Sequence, residues 1–307
     1  MERKKASDFD PQLLSLFQKY VHGGINRRAF LEGAAKFAVG GMTAMGLWEM
    51  LRPNYAWAQQ VPKDDKRIKA EYTFYSSPNG NAADGKMRGL LARPVTGNKF
   101  PAVVVVHENR GLNPYIEDVV RRLAVEGFMA FGSDALWPMG GYPNSEKSSA
   151  DADEKAVGLW KQLDVAKIPN DFVAAAEFLL NHTQSTGKLG AVGFCFGGAV
   201  VNQLAVRVPQ LNAGVPFYGR APAVAEVPKI KAAIQAHFAD PELDPNTTGT
   251  WTAYEAALKA NGIKHEGYIY PKTNHGFHND TTPRYDEAAA KLAWQRTLDH
   301  FNKNLKG

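Results

Sequence analysis

The chain has 307 residues, 44% of them hydrophobic and 22% charged, with a formal net charge of +5, which is the profile of an ordinary globular protein large enough for a sizeable core. So small a positive excess, with no basic run and no interleaved aromatic stripe, gives nucleic-acid binding no support. A single cysteine, Cys195, excludes an internal disulfide; no cluster of Cys and His has structural-zinc spacing, and no cofactor or metal is expected.

The first 58 residues read as an N-terminal extension. Asp10 to Tyr20 has the pattern of a short amphipathic helix. Then come Arg27-Arg28-Ala29-Phe30-Leu31, a weakly apolar stretch rich in Gly and Ala as far as Trp48, and a small-x-small site at Ala56-Trp57-Ala58. Paired arginines, a moderate apolar segment and such a site form a twin-arginine export signal. The expected partner is the twin-arginine translocation machinery, the expected destination periplasmic or secreted, and the mature terminus near Gln59. Glu32 departs from the pattern, since a basic residue is usual there, and the segment before the arginines is long. The alternative is a helical extension that is never removed. Lys36 and the glycines make the apolar stretch too polar to span a bilayer, so no stable membrane span is expected after processing.

Residues 59–307 read as one α/β domain. Ile68 to Ser76 and Lys86 to Arg93 alternate and are separated by Ser77-Pro78-Asn79-Gly80, which predicts antiparallel strands at a sheet edge. Phe100-Pro-Ala-Val-Val-Val-Val is nearly continuously β-branched, as a strand buried on both faces should be. A helix over Asn113 to Gly127 and a strand from Phe128 continue the rhythm. Leu136 to about Ala156 is a polar, Pro- and Gly-containing excursion carrying Trp137, Met139 and Tyr142; it reads equally as a surface loop and as an overhang of a site. Further helices are expected over Ile168 to His182, Trp251 to Asn261 and Arg284 to Asn304, with strands near Val192, Val215, Ile234 and Tyr268. Strand and helix in alternation predict a mostly parallel, doubly wound sheet with helices on both faces.

The chemistry centres on Gly190-Ala-Val-Gly193-Phe-Cys195-Phe-Gly197-Gly198. The G-x-C-x-G form is that of a nucleophile elbow, a strand running through a strained turn into a helix, with glycines where strand and helix must approach closely. A thiol on that turn would be a nucleophile; the rival reading is a small buried Cys packed among glycines. Nucleophile, acid and histidine follow in that order in this architecture, each on a loop after a strand. The loop Ala239-Asp240-Pro-Glu242-Leu-Asp244 offers the acid, Asp244 being preferred to Asp240 because it stands just before the turn into a helix. The loop Pro271-Lys-Thr-Asn-His275-Gly-Phe-His278 offers the base, with His275 preferred and His278 as fallback.

These residues, with His107-Glu108-Asn109-Arg110-Gly111, together resemble the dienelactone hydrolase family of α/β-hydrolases over about residues 65 to 305. The resemblance implies a Cys195–Asp244–His275 triad. It implies that Glu108 is the family's active-site glutamate, which contacts the resting thiol. Backbone N–H groups of Phe196 and Asn109 would form the oxyanion hole, a placing that physical reasoning shares. The family's lactone hydrolases hold a substrate carboxylate with two arginines, one after the fourth strand and one shortly after the catalytic His. Residues 136–156 contain no Arg, so Arg110, Arg220 and Arg284 are the candidates, with Trp137 and Tyr142 as aromatic ones, and only a weak preference for anionic substrates is expected. The reading is a carboxymethylenebutenolidase-like hydrolase of activated esters or enol lactones that works through an acyl-thioester; its rival is a non-catalytic binding or thiol redox-sensing protein on a hydrolase scaffold.

Overall fold

A computed structural model describes residues 4–57, 59–143 and 149–307. Ala58 of the small-x-small site and residues 144–148 of the excursion lie outside the described residues.

Eight strands form one sheet: β1 Ile68–Ser76, β2 Lys86–Pro94, β3 Phe100–Val106, β4 Met129–Ser133, β5 Ser185–Phe194, β6 Leu211–Phe217, β7 Ala233–Phe238 and β8 His265–Ile269. Their order is β1-β2-β4-β3-β5-β6-β7-β8; β1 and β2 pair antiparallel at one edge, and the strands from β4 to β8 are parallel. Ten α-helices are described: α1 Pro11–Val21, α2 Arg27–Ala34, α3 Ala44–Leu51, α4 Pro114–Val125, α5 Ser149–Trp160, α6 Ile168–Leu180, α7 Phe196–Arg207, α8 Pro245–Thr248, α9 Trp251–Ala260 and α10 Glu287–Phe301. In β3, Ala102, Val104 and Val106 join the core beneath α6, α7 and α9, while Val103 and Val105 join the core beneath α4 and α10. Every residue of β3 is buried. The period-two alternation of an apolar run therefore feeds two cores at once, which is why helices must cover both faces.

The elements are punctuated by local chemistry. Asn113 caps α4 by accepting from the Ile116 N–H at 3.1 Å with Pro114 in the first turn, and Asp286 caps α10 through the Ala289 N–H at 2.9 Å. The excursion differs from its sequence reading, because its second half is the helix α5. Ala152 and Ala156 turn inward and are buried, so tertiary packing recruits a segment whose Ser, Asp and Glu content suggested a loop.

The extension is also more ordered than a leader sequence suggests. α1, α2 and α3 share a third core containing Leu13, Phe17, Val21, Phe30, Leu47, Trp48 and Leu51. Helices of 8 to 11 residues are marginal alone. Here each buried large side chain contributes about 1.5–3 kcal/mol, so the three stabilise one another. Among the described residues no helix is long and apolar enough to cross a membrane.

Candidate active site

β5 delivers its chain to the centre of the sheet, and the turn after Phe194 places Cys195 at φ 57°, ψ −115°, just before the first residue of α7. A Cβ on Gly193 would lie 2.2 Å from the Gly197 carbonyl oxygen, and one on Gly197 would lie 2.3 Å from that of Val106. Only glycine lets α7 start so close to β5 and β3, so the G-x-C-x-G spacing is a steric requirement of this turn. The Cys195 N–H is tied to the Phe217 carbonyl at 3.1 Å, which fixes the elbow to β6. Its thiol is half-buried.

Two later loops bring the partners. His275 Nδ1 lies 2.7 Å from Asp244 Oδ2, with both side chains buried. Asp244 also accepts a short hydrogen bond from the Thr247 hydroxyl. His275 Nε2 has no hydrogen-bond partner among the described residues, and one of the His275 ring nitrogens stands within 4.8 Å of Cys195 Sγ. Burial opposes charge on this imidazole, but the Cys195 thiolate and the Asp244 carboxylate outweigh it and raise its pKa to about 10. Asp244 itself, despite burial, is held below the usual carboxylate range by His275 and Thr247. The alternatives are engaged elsewhere. Asp240 accepts from the backbone N–H of Glu242 at 2.9 Å and of Lys272 at 2.7 Å, which makes it a brace between loops. His278 Nδ1 meets the Tyr115 hydroxyl at 2.7 Å and its ring stacks on Phe194, a structural role that burial enforces by pushing its pKa well down.

Cys195 and His275 open into a cavity of about 540 Å³ also lined by Asn109, Phe196, Trp160, Tyr218, Arg220 and Asp244. Phe196 is the first residue of α7, where helical N–H groups lack intrahelical acceptors, and Asn109 follows β3 across the same cavity. A half-buried thiol on a strained elbow beside an imidazole oriented by a carboxylate forms an arrangement suited to acyl transfer.

A family profile described as "Dienelactone hydrolase family" matches residues 87–305. The chain belongs to the dienelactone hydrolase family. It is similar to an Escherichia coli K12 chain named "Putative hydrolase fragment YghX", 51% identical over 124 residues that make up 40% of this chain and 97% of that one. A Synechocystis chain named "Putative carboxymethylenebutenolidase" is 32% identical over 78% of this chain and 99% of its own length. Among solved structures, a dienelactone hydrolase-like promiscuous phosphotriesterase, P91, from metagenomic libraries superposes with a TM-score of 0.62 at 23% identity, over 78% of this chain and 99% of that one. Residues 1–37 separately match a profile described as "YqhI-like". The protein is an ester-bond hydrolase with the α/β-hydrolase fold.

The other residues expected of a family member are unevenly placed. Glu108 is buried and its Oε2 accepts from Asn279 Nδ2 at 3.1 Å; no hydrogen bond joins it to Cys195 among the described residues. Arg284 is buried, and its Nε and Nη1 have no hydrogen-bond partner among the described residues. Burial lowers its pKa, while the neighbouring charges of Glu108 and Cys195 favour the cation. Arg220 is exposed at the cavity rim. Arg110 is buried 3.7 Å from Asp153, whose other oxygen accepts from the Tyr55 and Tyr142 hydroxyls at 2.7 and 3.0 Å. Trp137 and Tyr142 do not line the cavity. Trp137 packs edge-on against Phe74 and under Arg88, and Tyr142 is spent on Asp153, so neither is a pocket aromatic. Trp160, on the unanticipated helix α5, takes that place and packs edge-on to Phe196 at 4.9 Å.

Two further residues at the site carried no legible signal. Tyr218, after β6, has φ 36° and lies 4.9 Å from the His275 ring. His22, from the extension, lies 5.0 Å from the same ring. One ring nitrogen each of His22 and His275 and the Cys195 sulfur all fall within 4.8 Å of one another, a donor set of the type soft divalent metals take.

Proposed function

We propose that this enzyme hydrolyses activated esters and enol lactones through a thioester on Cys195. The observation that carries the reading is Cys195 on a strained elbow beside His275, which Asp244 orients, all lining one cavity with Phe196 and Asn109, whose backbone N–H groups would serve the oxyanion. The thiolate attacks the carbonyl carbon, a C–S bond forms and the carbonyl π pair moves to oxygen. Collapse of this adduct breaks the C–O bond, and the His275 imidazolium gives its proton to the departing oxygen. The now neutral His275 takes a proton from water, the hydroxide adds to the thioester, and C–S cleavage restores thiolate and imidazolium. A thiolate is itself a good leaving group, so forward collapse requires a stabilised departing oxygen such as an enolate or phenolate. Alkyl esters and amides are accordingly expected to be poor substrates.

Arg284 changes the expectation for substrate charge. It is not among the residues that line the Cys195 cavity, but it interacts with the charges of Glu108 and Cys195, and a substrate carboxylate that reached it would satisfy its two unpaired, buried N–H groups with a charge-assisted pair. For a matched pair of enol lactones with and without a carboxylate, kcat/KM is expected to favour the anionic one by about a hundredfold, about 2.7 kcal/mol. Arg284→Met is expected to abolish that preference while retaining the neutral substrate. An unchanged preference in the variant would remove Arg284 from substrate binding.

Export belongs to the same proposal. It is supported by Arg27-Arg28 followed by the weakly apolar stretch to Trp48, and Arg28 reaches solvent with 88% of its side chain exposed; export itself does not require the Ala56-Trp57-Ala58 site to be cut. Replacing both arginines by lysine is expected to keep the protein in the cytoplasm, checked by fractionation.

A further inference from the structure

We infer that the N-terminal helical unit stays on the working enzyme as a wall of the substrate pocket, with His22 as its specificity-determining residue. The inference rests on the ester-hydrolase reading above. It is carried by contacts that a removable leader would not need. Gln18, Lys19, His22 and Gly24, all from the N-terminal unit, line the Cys195 cavity. The Asn109 side chain, on the loop that offers an oxyanion donor, gives a hydrogen bond to the Val21 carbonyl at 2.9 Å. Phe17 lies 5.9 Å from the Arg284 guanidinium. Farther along, the Asn54 N–H donates to the Thr281 carbonyl at 2.8 Å, and the Tyr55 hydroxyl enters the buried Asp153 cluster.

The arginine pair itself is partly consumed by this docking. Arg27 and Arg28 occupy the first turn of α2, where the helix dipole disfavours cations. Arg27 is compensated by Glu154 of α5 at 3.0 Å and by lying 4.0 Å over the Trp48 ring. A residue recruited into an ion pair with the body and a cation–π contact within the extension is part of the fold, whatever it does during translocation.

His22 matters because of where its ring stops. The residue is exposed at the mouth of the cavity, yet its ring stands beside His275; partial desolvation there, followed by the charges of His275, Arg284 and Arg110, lowers its pKa to about 4, so at neutral pH it is an uncharged ring with one donor and one acceptor. A substrate whose carbonyl sits on Cys195 must lie beside it, and that leaves less room on this side for a long acyl chain. His22→Ala is therefore expected to raise the ratio of kcat/KM for p-nitrophenyl hexanoate over p-nitrophenyl acetate by about tenfold, in the range that pocket contacts command. Misfolding would lower both rates together and leave the ratio alone, which separates a wall from a mere prop. Gln18→Ala, on the same helix, provides a second variant should His22→Ala not fold. The intact mass of active enzyme, recovered after expression of the full chain in a bacterium with a twin-arginine system, is expected to retain the residues before Ala58. A ratio unchanged in both variants, or active enzyme beginning near Gln59, overturns the inference. Neither result touches the ester-hydrolase reading, which falls only if Cys195 is not acylated.

Discussion

Cys195→Ala is expected to lower kcat/KM for p-nitrophenyl acetate by on the order of 10⁴-fold or more, since removing a covalent nucleophile from a triad leaves only binding and oxyanion stabilisation. The reason lies in the elbow. The variant keeps the Cβ and the backbone at φ 57°, so the turn tolerates Ala as well as Cys, and only the bond-forming sulfur is lost. The side chain is half-buried and only touches the edge of the core beneath α4 and α10, so its loss opens little space there. Stability is therefore expected to change by no more than about 1 kcal/mol, read as an unchanged unfolding midpoint. Full activity in a folded variant would place the chemistry elsewhere.

The second large effect is on the histidine and its acid. His275→Ala is expected to cost about as much as losing the thiol, and Asp244→Asn about 10³- to 10⁴-fold, because members of a triad act as a unit. Asp240→Asn should change turnover by less than about threefold, since its carboxylate only braces two backbone N–H groups. The pH profile supplies an independent reading. His275 is raised to about 10 by the thiolate and by Asp244, so the protonated form that serves the departing oxygen persists below that pH and is lost above it. Removing the Asp244 charge withdraws part of the rise, and the alkaline limb of kcat/KM should move to lower pH; the limb belongs to the coupled pair rather than to either residue. The reverse ranking of Asp244 and Asp240 would reassign the acid.

What could be read without coordinates was whatever physics makes local. The steric demand at Gly193 and Gly197 is visible as spacing, and the double burial of β3 as an uninterrupted β-branched run. The choice of Asp244 over Asp240 followed from its position before α8, and its geometry with His275 fits that choice. Long-range packing was not legible. Ser149 to Trp160 has loop-like composition, and only the burial of Ala152 and Ala156 makes it a helix that brings Trp160 to the cavity. Nothing in the sequence separates Arg284, buried with unpaired N–H groups, from Arg110, consumed by Asp153. His22 was invisible for a different reason: the arginine pair and small-x-small site read as a leader over residues 1–58, and the docking that brings His22 to His275 depends on partners distant in sequence, such as Glu154, Asp153 and His275 itself.

The central claim is covalent catalysis by Cys195, and the most direct measurement is rapid mixing of the enzyme with p-nitrophenyl acetate, acid quench and peptide mass analysis. The account predicts a burst of p-nitrophenolate equal to the enzyme present, with one acetyl group on the peptide containing Cys195 that disappears as turnover proceeds. Steady hydrolysis with no acetylated Cys195 at any time, or an acetyl group lodged there that never leaves, would contradict it.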